Sequence, residues 1–258
     1  MSESRLKTLL DDRKSGSPST RIVRAMSERG ALSAAQIARL TGLARSTVST
    51  ALADLRKSGI VVEVATAEEG AKGVGRPATA LTLNPEAGTC VGLHMSLDEI
   101  QIVIADVSHS VISEQIVEME RDYSPEEAAA VTKLASERAY RENGLPPSGL
   151  LGVGISVSGP VSPDGTVQRA SIVPTWAGVN IRDVFGPVLG QPVLADNESN
   201  CAAIAEMMWG AAVGHDNFLL FKIDLGVGGA IVSGGRVMTG IAGGAGESGH
   251  LSIDPDGD

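Results

Sequence analysis

Three predicted helices separated by glycines constrain the first part of this chain more than any other feature. Apolar residues at helical spacing predict two helices that end at Gly30 and Gly42, and a third from about Arg45 to Ser58. Ser33 is the expected N-cap of the second helix. Gly42 stands where a tight turn between helices needs a residue that tolerates positive φ. The order is that of a helix-turn-helix motif.

The third predicted helix carries side chains that suit contact with DNA. Polar residues and one arginine fill its first turns, from which side chains reach base edges or phosphates in the major groove. The free backbone N–H groups of a helix N-terminus also suit a phosphate. Capping of the helix explains Ser46 and Thr47 equally well when each is taken alone. The candidate DNA-binding residues here are Arg45, Ser46, Thr47, Ser49 and Thr50.

Two strand-like runs then flank a glycine-rich segment. The runs are 60–64 and 79–83, and the segment between them, 70–77, contains Lys72 and Arg76. This pattern predicts a wing whose glycines let the backbone approach DNA, with Arg76 placed to enter a minor groove. An ordinary surface hairpin is the alternative, but it would not need glycines and basic residues together.

Charge is unevenly distributed along the chain. Residues 1–85 hold 13 Lys+Arg and 8 Asp+Glu, a net of +5, whereas the whole chain has a net charge of -10. A basic module on an acidic body favours a polyanionic partner, although a net of +5 also suits an ordinary soluble surface. Aromatic residues make up 3%, which disfavours stacking on single strands. We therefore predict a flexible lead-in over 1–16 and a winged helix-turn-helix domain over 17–85 that binds double-stranded DNA.

Composition also limits the compartment. The sequence has no apolar run of about 18 residues, which excludes a membrane-spanning helix and a membrane partner. No apolar stretch follows the first charges, so a signal peptide is not expected. Two cysteines, Cys90 and Cys201, suit a reducing cytoplasm. A cytoplasmic protein is predicted.

A short joint at 84–88 leads into a second module. Strand-like runs alternate with two helical segments, 124–143 and 198–210, which predicts an α/β domain over 86–258. The strand-like runs are 90–95, 100–106, 111–119, 150–158, 192–195, 218–224 and 230–232.

Six glycine-rich or polar stretches occur in a fixed order: Gly75–Pro77, Ser158–Val161, Trp176–Val179, Asp196–Asn200, Gly226–Gly229 and Gly243–His250. Together they resemble the ROK family (repressor, open reading frame, sugar kinase) in its regulator branch. The resemblance implies a winged helix followed by an actin-like (ribonuclease H-like) sugar-kinase-type domain.

Departures from the family's kinases bear on the activity. Where the kinases have an Asp-x-Gly-Gly-Thr turn for ATP phosphates, this chain has His94–Asp98, and Asp98 adds a negative charge. Asp224 and Leu225 replace a Gly-Thr pair in the second phosphate loop. Glu198 replaces the catalytic Asp, and its extra methylene would move a base by about 1 Å. The resemblance with these departures implies a protein that is not an enzyme and does not use ATP.

The sugar-binding half matches the family better. By resemblance, the residues that contact the sugar are Gly159, Asn197, Glu198, Glu247 and His250. Carboxylate, amide and imidazole groups suit hydroxyl recognition. A solvated loop or a satisfied buried pair are the alternatives for Glu247 and His250.

In the family, His250 would also be one ligand of a structural zinc, with three cysteines following in a Cys-x-Cys-Gly-x-x-Gly-Cys pattern. The sequence stops at Asp258, where that segment should begin, and neither Cys90 nor Cys201 has the required spacing. The resemblance therefore implies a chain truncated in its second lobe, with a structural zinc in the full-length protein and none in this piece.

The resulting expectation is a sugar-responsive transcriptional regulator with a role in carbohydrate metabolism. A homodimer or a dimer of dimers would bind an operator, and a sugar or sugar phosphate would be the effector. Family habit favours a repressor over an activator. An ATP-dependent sugar kinase with a DNA-binding head is one alternative, and a sugar sensor whose basic module docks on a protein is another.

Overall fold

The computed structural model describes Leu6, Leu9 and residues 16–65, 79–168, 174–223 and 226–250, with the backbone alone at Ala65, Thr79 and His250. The chain divides into two compact units. The first comprises Met1–Cys90, Ile104–Ile112 and Asn143–Leu151, and the second comprises Val91–Val103, Ser113–Glu142 and Gly152–Asp258.

The first unit begins with the three expected helices. They are α1 (Pro18–Arg29), α2 (Ala34–Thr41) and α3 (Arg45–Lys57). Ser33 caps α2 in a capping box with Gln36, as its position predicted. Gly42 adopts the left-handed conformation, with φ 66° and ψ 17°, which confirms the expected glycine turn.

A β-hairpin follows these helices. Strands β1 (Val61–Ala65) and β2 (Thr79–Leu83) pair antiparallel, so the strands of the predicted wing are confirmed. Leu32, between α1 and α2, exchanges two main-chain hydrogen bonds of 2.9 Å with Leu81. The wing tip, including Lys72 and Arg76, lies outside the described residues.

The core of the first unit joins the helices to the hairpin. Buried apolar side chains of α1, α2, α3, β1 and β2 form one cluster, which also includes Val107 and Leu151. Ile22 and Ile37 are fully buried in it. Each such side chain contributes about 1.5–3 kcal/mol by leaving water. The guanidinium of Arg21 donates to the carbonyl of Thr41, which fixes the end of α2 against α1.

Two further sheets have most of their residues in the second unit, and their strands run in the orders β5-β4-β3-β6-β7 and β10-β9-β8. The strands are β3 (Thr89–Met95), β4 (Glu99–Asp106), β5 (Val111–Glu118), β6 (Leu150–Val157), β7 (Val193–Asn197), β8 (Phe218–Ile223), β9 (Val227–Ser233) and β10 (Arg236–Val237). The helices are α4 (Pro125–Glu142), α5 (Ile181–Leu189) and α6 (Glu198–Trp209).

Helix α5 is an element that the sequence analysis did not predict. Pro187 lies inside it, and a proline normally argues against a helix interior. Asn180 caps its first turn through hydrogen bonds from the N–H groups of Arg182 and Asp183. The structure corrects the prediction because the cap at Asn180 and the burial of Phe185 outweigh the proline.

Trp176 belongs to the core beside α5. It is fully buried, and its indole N–H donates to the carbonyl of Tyr123 over 3.1 Å. Its ring lies 5.8 Å from that of Tyr123 and 6.0 Å from that of Phe185. The family-like stretch Trp176–Val179 therefore has a packing role in this structure.

Strand alternation sets up the polar positions of the larger sheet. Along β3 and β6, buried side chains alternate with more exposed ones, and His94 and Ser156 fall on the more exposed side. Strand β7 runs parallel to β6 and pairs Asp196 with Ser156. These polar side chains therefore lie near the carboxyl ends of neighbouring strands.

Helix α6 packs on the smaller sheet. Ala203 of α6 forms a buried cluster with Ala230 and Val232 of β9, and Phe218 and Leu220 of β8 pack against it. Lys222 continues this inward row of β8. Within the described ranges, no helix has the length and apolar character needed to cross a bilayer.

Candidate functional site

The first candidate site is the exposed face of α3. Val48, Leu52 and Leu55 are buried, whereas four of the five polar positions predicted to meet DNA are exposed and Thr47 is half-buried. The exposed four are Arg45, Ser46, Ser49 and Thr50. The apolar spacing has thus turned the predicted contact residues toward solvent.

The start of α3 carries no side-chain cap. Ala44 holds the N-cap position and has no side chain that could bond the first N–H groups. Ser46 and Thr47 lie inside the helix, so neither is the N-cap. Backbone N–H groups and the positive end of the helix dipole therefore remain at this end, beside Arg45.

Two arginines of α3 differ in their surroundings. Arg56 forms an ion pair of 2.7 Å with Glu63 of β1. In the described part of the chain, Arg45 has no ion-pair partner. The guanidinium of Arg45 is thus available to an anion, whereas that of Arg56 is already paired with a carboxylate.

The second candidate site is built around the β7–α6 junction. Asn197 ends β7 and caps α6: its Oδ1 accepts from the N–H of Ser199 at 2.7 Å and of Asn200 at 3.3 Å. Its Nδ2 donates to the carbonyl of Gly159 over 2.8 Å. The structure therefore brings the predicted sugar-binding residues Gly159 and Asn197 together and gives the asparagine amide two structural tasks.

Glu198 is the first residue of α6 and the centre of a polar cluster. Its Oε2 lies 2.8 Å from the Nζ of Lys222 and 3.9 Å from the Nε2 of His94. The Nδ1 of His94 is 2.8 Å from the Oγ of Ser156. Because 16% of the Glu198 side chain is exposed, its ion pair with Lys222 is partly withdrawn from water.

Sequence reasoning missed three of these neighbours: Lys222, His94 and Ser156 were not among the predicted sugar-binding residues. The signal for Lys222 was a lysine at an inward position of an otherwise apolar strand, Phe218–Ile223. No comparable signal marked the contact between His94 and Ser156, because the two are 62 residues apart.

Glu247 lies in a glycine loop that packs closely on β9. A Cβ at Gly246 would collide with the carbonyl of Gly229, and one at Gly249 would collide with that of Val227. Glu247 itself is half-buried. Only glycine allows this close backbone approach, so the loop around the predicted Glu247 is held at the start of β9.

The same part of β9 also touches α6. A Cβ at Gly228 would collide with the Oγ of Ser199, in the first turn of α6. Residues 228–229 thus lie between the segment that carries Glu198 and the loop that carries Glu247. Of His250 the structure describes the backbone, within the short helix Ser248–His250; its predicted sugar contact stays a prediction.

An open cleft of about 800 Å³ lies in the second unit. Apolar residues line most of it, with a few polar groups among them, as is usual for small-molecule sites. The polar and sulfur-containing lining residues include His94, Ser156, Arg182, Asp196 and Cys201. Burial, then the negative charges of Asp196 and Glu198, raises the pKa of the Cys201 thiol to about 12, so it is no nucleophile at neutral pH.

The turn after β3 has its own hydrogen bonds. The N–H of Ser96 donates to the carbonyl of Glu99 at 3.0 Å, and the carbonyl of Ser96 accepts from the hydroxyl of Tyr123 at 2.7 Å. Asp98 is exposed. Ser96 therefore lacks a free N–H for an anion. Asp224 and Leu225 of the second predicted phosphate loop lie outside the described residues.

The described residues do not bring together the ligands of a zinc site of the family's kind. His250 is a single candidate ligand, Cys90 is exposed on β3, and Cys201 lies in α6. Within 16–65, 79–168, 174–223 and 226–250, no three metal-binding side chains are grouped. The structural zinc of a longer protein stays a prediction.

Comparison with known proteins assigns both modules. Residues 90–258 match the model of the ROK family, and residues 16–71 match that of the MarR family. The chain is 29% identical to the xylose repressor of Bacillus subtilis over 225 residues, which are 86% of this chain and 57% of that protein. The chain thus spans little more than half the length of this relative.

Solved structures agree with the fold. A ROK family transcriptional regulator, a homologue of the E. coli MLC protein, matches with a TM-score of 0.73 at 23% identity, covering 94% of this chain and 61% of its own. A ROK family glucokinase from Streptomyces griseus, in complex with glucose and AMPPNP, matches with a TM-score of 0.58 at 27% identity, covering 66% and 52%. The predicted fold class, a winged helix and an actin-like kinase-type domain, is confirmed.

Proposed function

The chain belongs to the ROK family, and from that premise we propose that it is a sugar-responsive, DNA-binding transcriptional repressor. Its first unit binds operator DNA through α3 and the wing. Its second unit binds a sugar or sugar phosphate and does not phosphorylate it. The protein works in the cytoplasm as a homodimer or a dimer of dimers.

The observation that carries the proposal is the exposed polar face of α3. A buried apolar stripe orients Arg45, Ser49 and Thr50 outward, and the helix N-terminus beside Arg45 has no side-chain cap. The match of residues 16–71 to the MarR family and the similarity to xylose repressors support the same role. A helix of this kind offers phosphate contacts and base-edge contacts at once.

Two features of the second unit support sugar binding without phosphoryl transfer. Glu198 stands in place of the kinases' Asp, and its Oε2 is already engaged by the ammonium of Lys222 at 2.8 Å. The turn after β3 lacks the glycines of a phosphate loop, and the N–H of Ser96 is already bonded. Ligand control of the DNA-binding unit requires different ligand affinities in its two states.

A sugar kinase with a DNA-binding head is the rival function, favoured by the similarity to the Streptomyces griseus glucokinase. A coupled assay of ADP release from ATP with D-glucose or D-xylose separates the two. The repressor proposal expects no sugar-dependent release. Turnover that disappears in Glu198→Gln would establish the kinase instead.

The direct test is a binding experiment with the full chain. Duplexes selected from a randomised library are labelled, and their affinity is measured by fluorescence anisotropy from 50 to 200 mM salt, with and without D-xylose. We expect affinity to fall at least 10-fold over this salt range, as phosphate contacts require. Affinity that does not depend on salt would point to a protein partner. Sugar-independent affinity across a sugar panel would remove the effector role.

A further inference from the structure

Lys222 occupies an unusual place in the second unit. It follows Phe218 and Leu220 on the inward side of β8, where the other side chains pack against α6. Across the strand pair it stands opposite Gly228, which has no side chain to fill the space. The ammonium therefore reaches the first turn of α6 from a strand that is fixed by the surrounding core.

The ammonium meets one oxygen of Glu198. The Nζ of Lys222 donates to Oε2 at 2.8 Å. The exposed fraction of the Lys222 side chain is 33%, and that of the Glu198 side chain is 16%. Among the described residues, Oε1 of Glu198 accepts no hydrogen bond. The ion pair thus holds the carboxylate in one orientation and leaves one oxygen for an incoming hydroxyl donor.

From this geometry we propose that Lys222 is the positioning residue of the sugar site, and that the site takes an uncharged sugar in preference to a sugar phosphate. The inference rests on the proposed sugar-binding function. Lys222 acts through Glu198, whose free oxygen accepts a hydrogen bond from a sugar hydroxyl. Among the described residues, the Lys222 ammonium is the nearest cation to this carboxylate, and it already donates to Oε2.

A phosphate group on the ligand would be disfavoured at this site. To bind Lys222 it would have to displace Glu198, leaving a largely buried carboxylate beside a second anion. Asp196, two residues before Glu198, is a second carboxylate at this junction and lines the cleft. Arg182 also lines the cleft, and its guanidinium donates to the carbonyl of Pro163 over 3.0 Å. At the β7–α6 junction itself, the two carboxylates outnumber the one ammonium, which disfavours an anionic ligand there.

The experiment measures sugar affinity of the full chain by titration calorimetry. The probes are D-xylose, D-glucose, D-xylose 5-phosphate and D-glucose 6-phosphate. We expect each neutral sugar that binds to do so at least 10-fold more tightly than its phosphate. A phosphate that binds as tightly as its parent sugar overturns the inference and leaves the proposed function intact. Failure of all four to bind overturns both.

The variants test the positioning role. Lys222→Met should lower the affinity for the neutral sugar at least 10-fold, and Lys222→Arg should lower it less than threefold. Lys133→Met, which removes an exposed lysine of α4, should leave the affinity unchanged. In a Glu198→Gln background, Lys222→Met should cost less than threefold, because the residue acts through Glu198. Equal losses in both backgrounds, or no loss in a folded Lys222→Met, would overturn the role. If Lys222→Met does not fold, the comparison of Lys222→Arg with wild type and the four-probe comparison still decide.

Discussion

The side-chain amide of Asn197 joins two segments: its Nδ2 donates to the carbonyl of Gly159 over 2.8 Å, while its Oδ1 caps helix α6. The side chain is almost fully buried, with 6% exposure. One asparagine thereby sets both the position of the turn at Gly159 and the start of the helix that carries Glu198.

This arrangement predicts a graded effect of substitution at Asn197. Asn197→Ala loses the cap and the tether and should lower the free energy of unfolding by about 2–3 kcal/mol. Asn197→Asp keeps a capping oxygen and loses the donor, so we expect a loss of about 1–2 kcal/mol. Urea denaturation measures both. Equal losses would show that the capping oxygen contributes nothing, and an unchanged stability of Asn197→Asp would show that the bond to Gly159 contributes nothing.

The two arginines of α3 should differ in DNA binding. Arg45 has no ion-pair partner among the described residues, whereas Arg56 is paired with Glu63. Arg45→Ala should weaken binding about 10-fold and reduce the slope against salt by about one. Arg56→Ala, as the matched control, should change affinity less than threefold. Anisotropy titrations at several salt concentrations give both quantities, and the reverse order would move the interface to the other end of α3.

Cys201 should be an unreactive thiol whose burial affects stability at high pH. Its pKa rises from 9.0 to about 12 in the fold, so folded chains keep the proton that unfolded chains lose. Relative to Cys201→Ala, the free energy of unfolding should therefore fall as the pH rises from about 9 toward 12. Denaturation at a series of pH values tests the sign.

Alkylation provides an independent check. At pH 8, iodoacetamide should label Cys201 at least 100-fold more slowly than a free thiol of ordinary pKa, because the thiolate is the reactive form. Peptide mapping by mass spectrometry measures the rate. Rapid labelling would place the thiol in a more polar environment than the cleft of the second unit.

The glycine loop around Glu247 offers a close pair of variants. Gly246→Ala would place a Cβ against the carbonyl of Gly229, and we expect a loss of about 1–3 kcal/mol together with weaker sugar binding. A Cβ at Gly244 meets no backbone, its nearest contact being the Glu247 side chain at 3.8 Å, so Gly244→Ala is the control. Similar behaviour of the two variants in denaturation and calorimetry would contradict the packing.

Local signals predicted the first unit well. The Ser33 side chain can cap a helix start and Gly42 can adopt a positive φ in a turn, and both predictions are confirmed. Helix α5 was not predicted because Pro187 interrupts its helical pattern. Asn180 can be identified as its N-cap only after the helix is known. Elsewhere the predicted and observed ends of the elements differ by one to a few residues. The largest difference is at β9, where glycines weaken the strand pattern.

The polar cluster could be predicted in part. The family resemblance supplied Gly159, Asn197 and Glu198, and the structure brings them to one junction. It gave no indication of Lys222, which is 24 residues from Glu198, because ion pairs between distant elements depend on how the sheets fold. Separation along the chain, rather than any weak propensity, limited the prediction.

The pairing of Leu32 with Leu81 has a consequence for groove spacing. Two main-chain hydrogen bonds fasten the return strand of the hairpin to the connection between α1 and α2. Because of these bonds, strand β2 is held in a fixed position relative to helices α1 and α2. A duplex of unsuitable groove width would have to bend to meet it, so operator choice would be sensitive to DNA stiffness as well as to base identity.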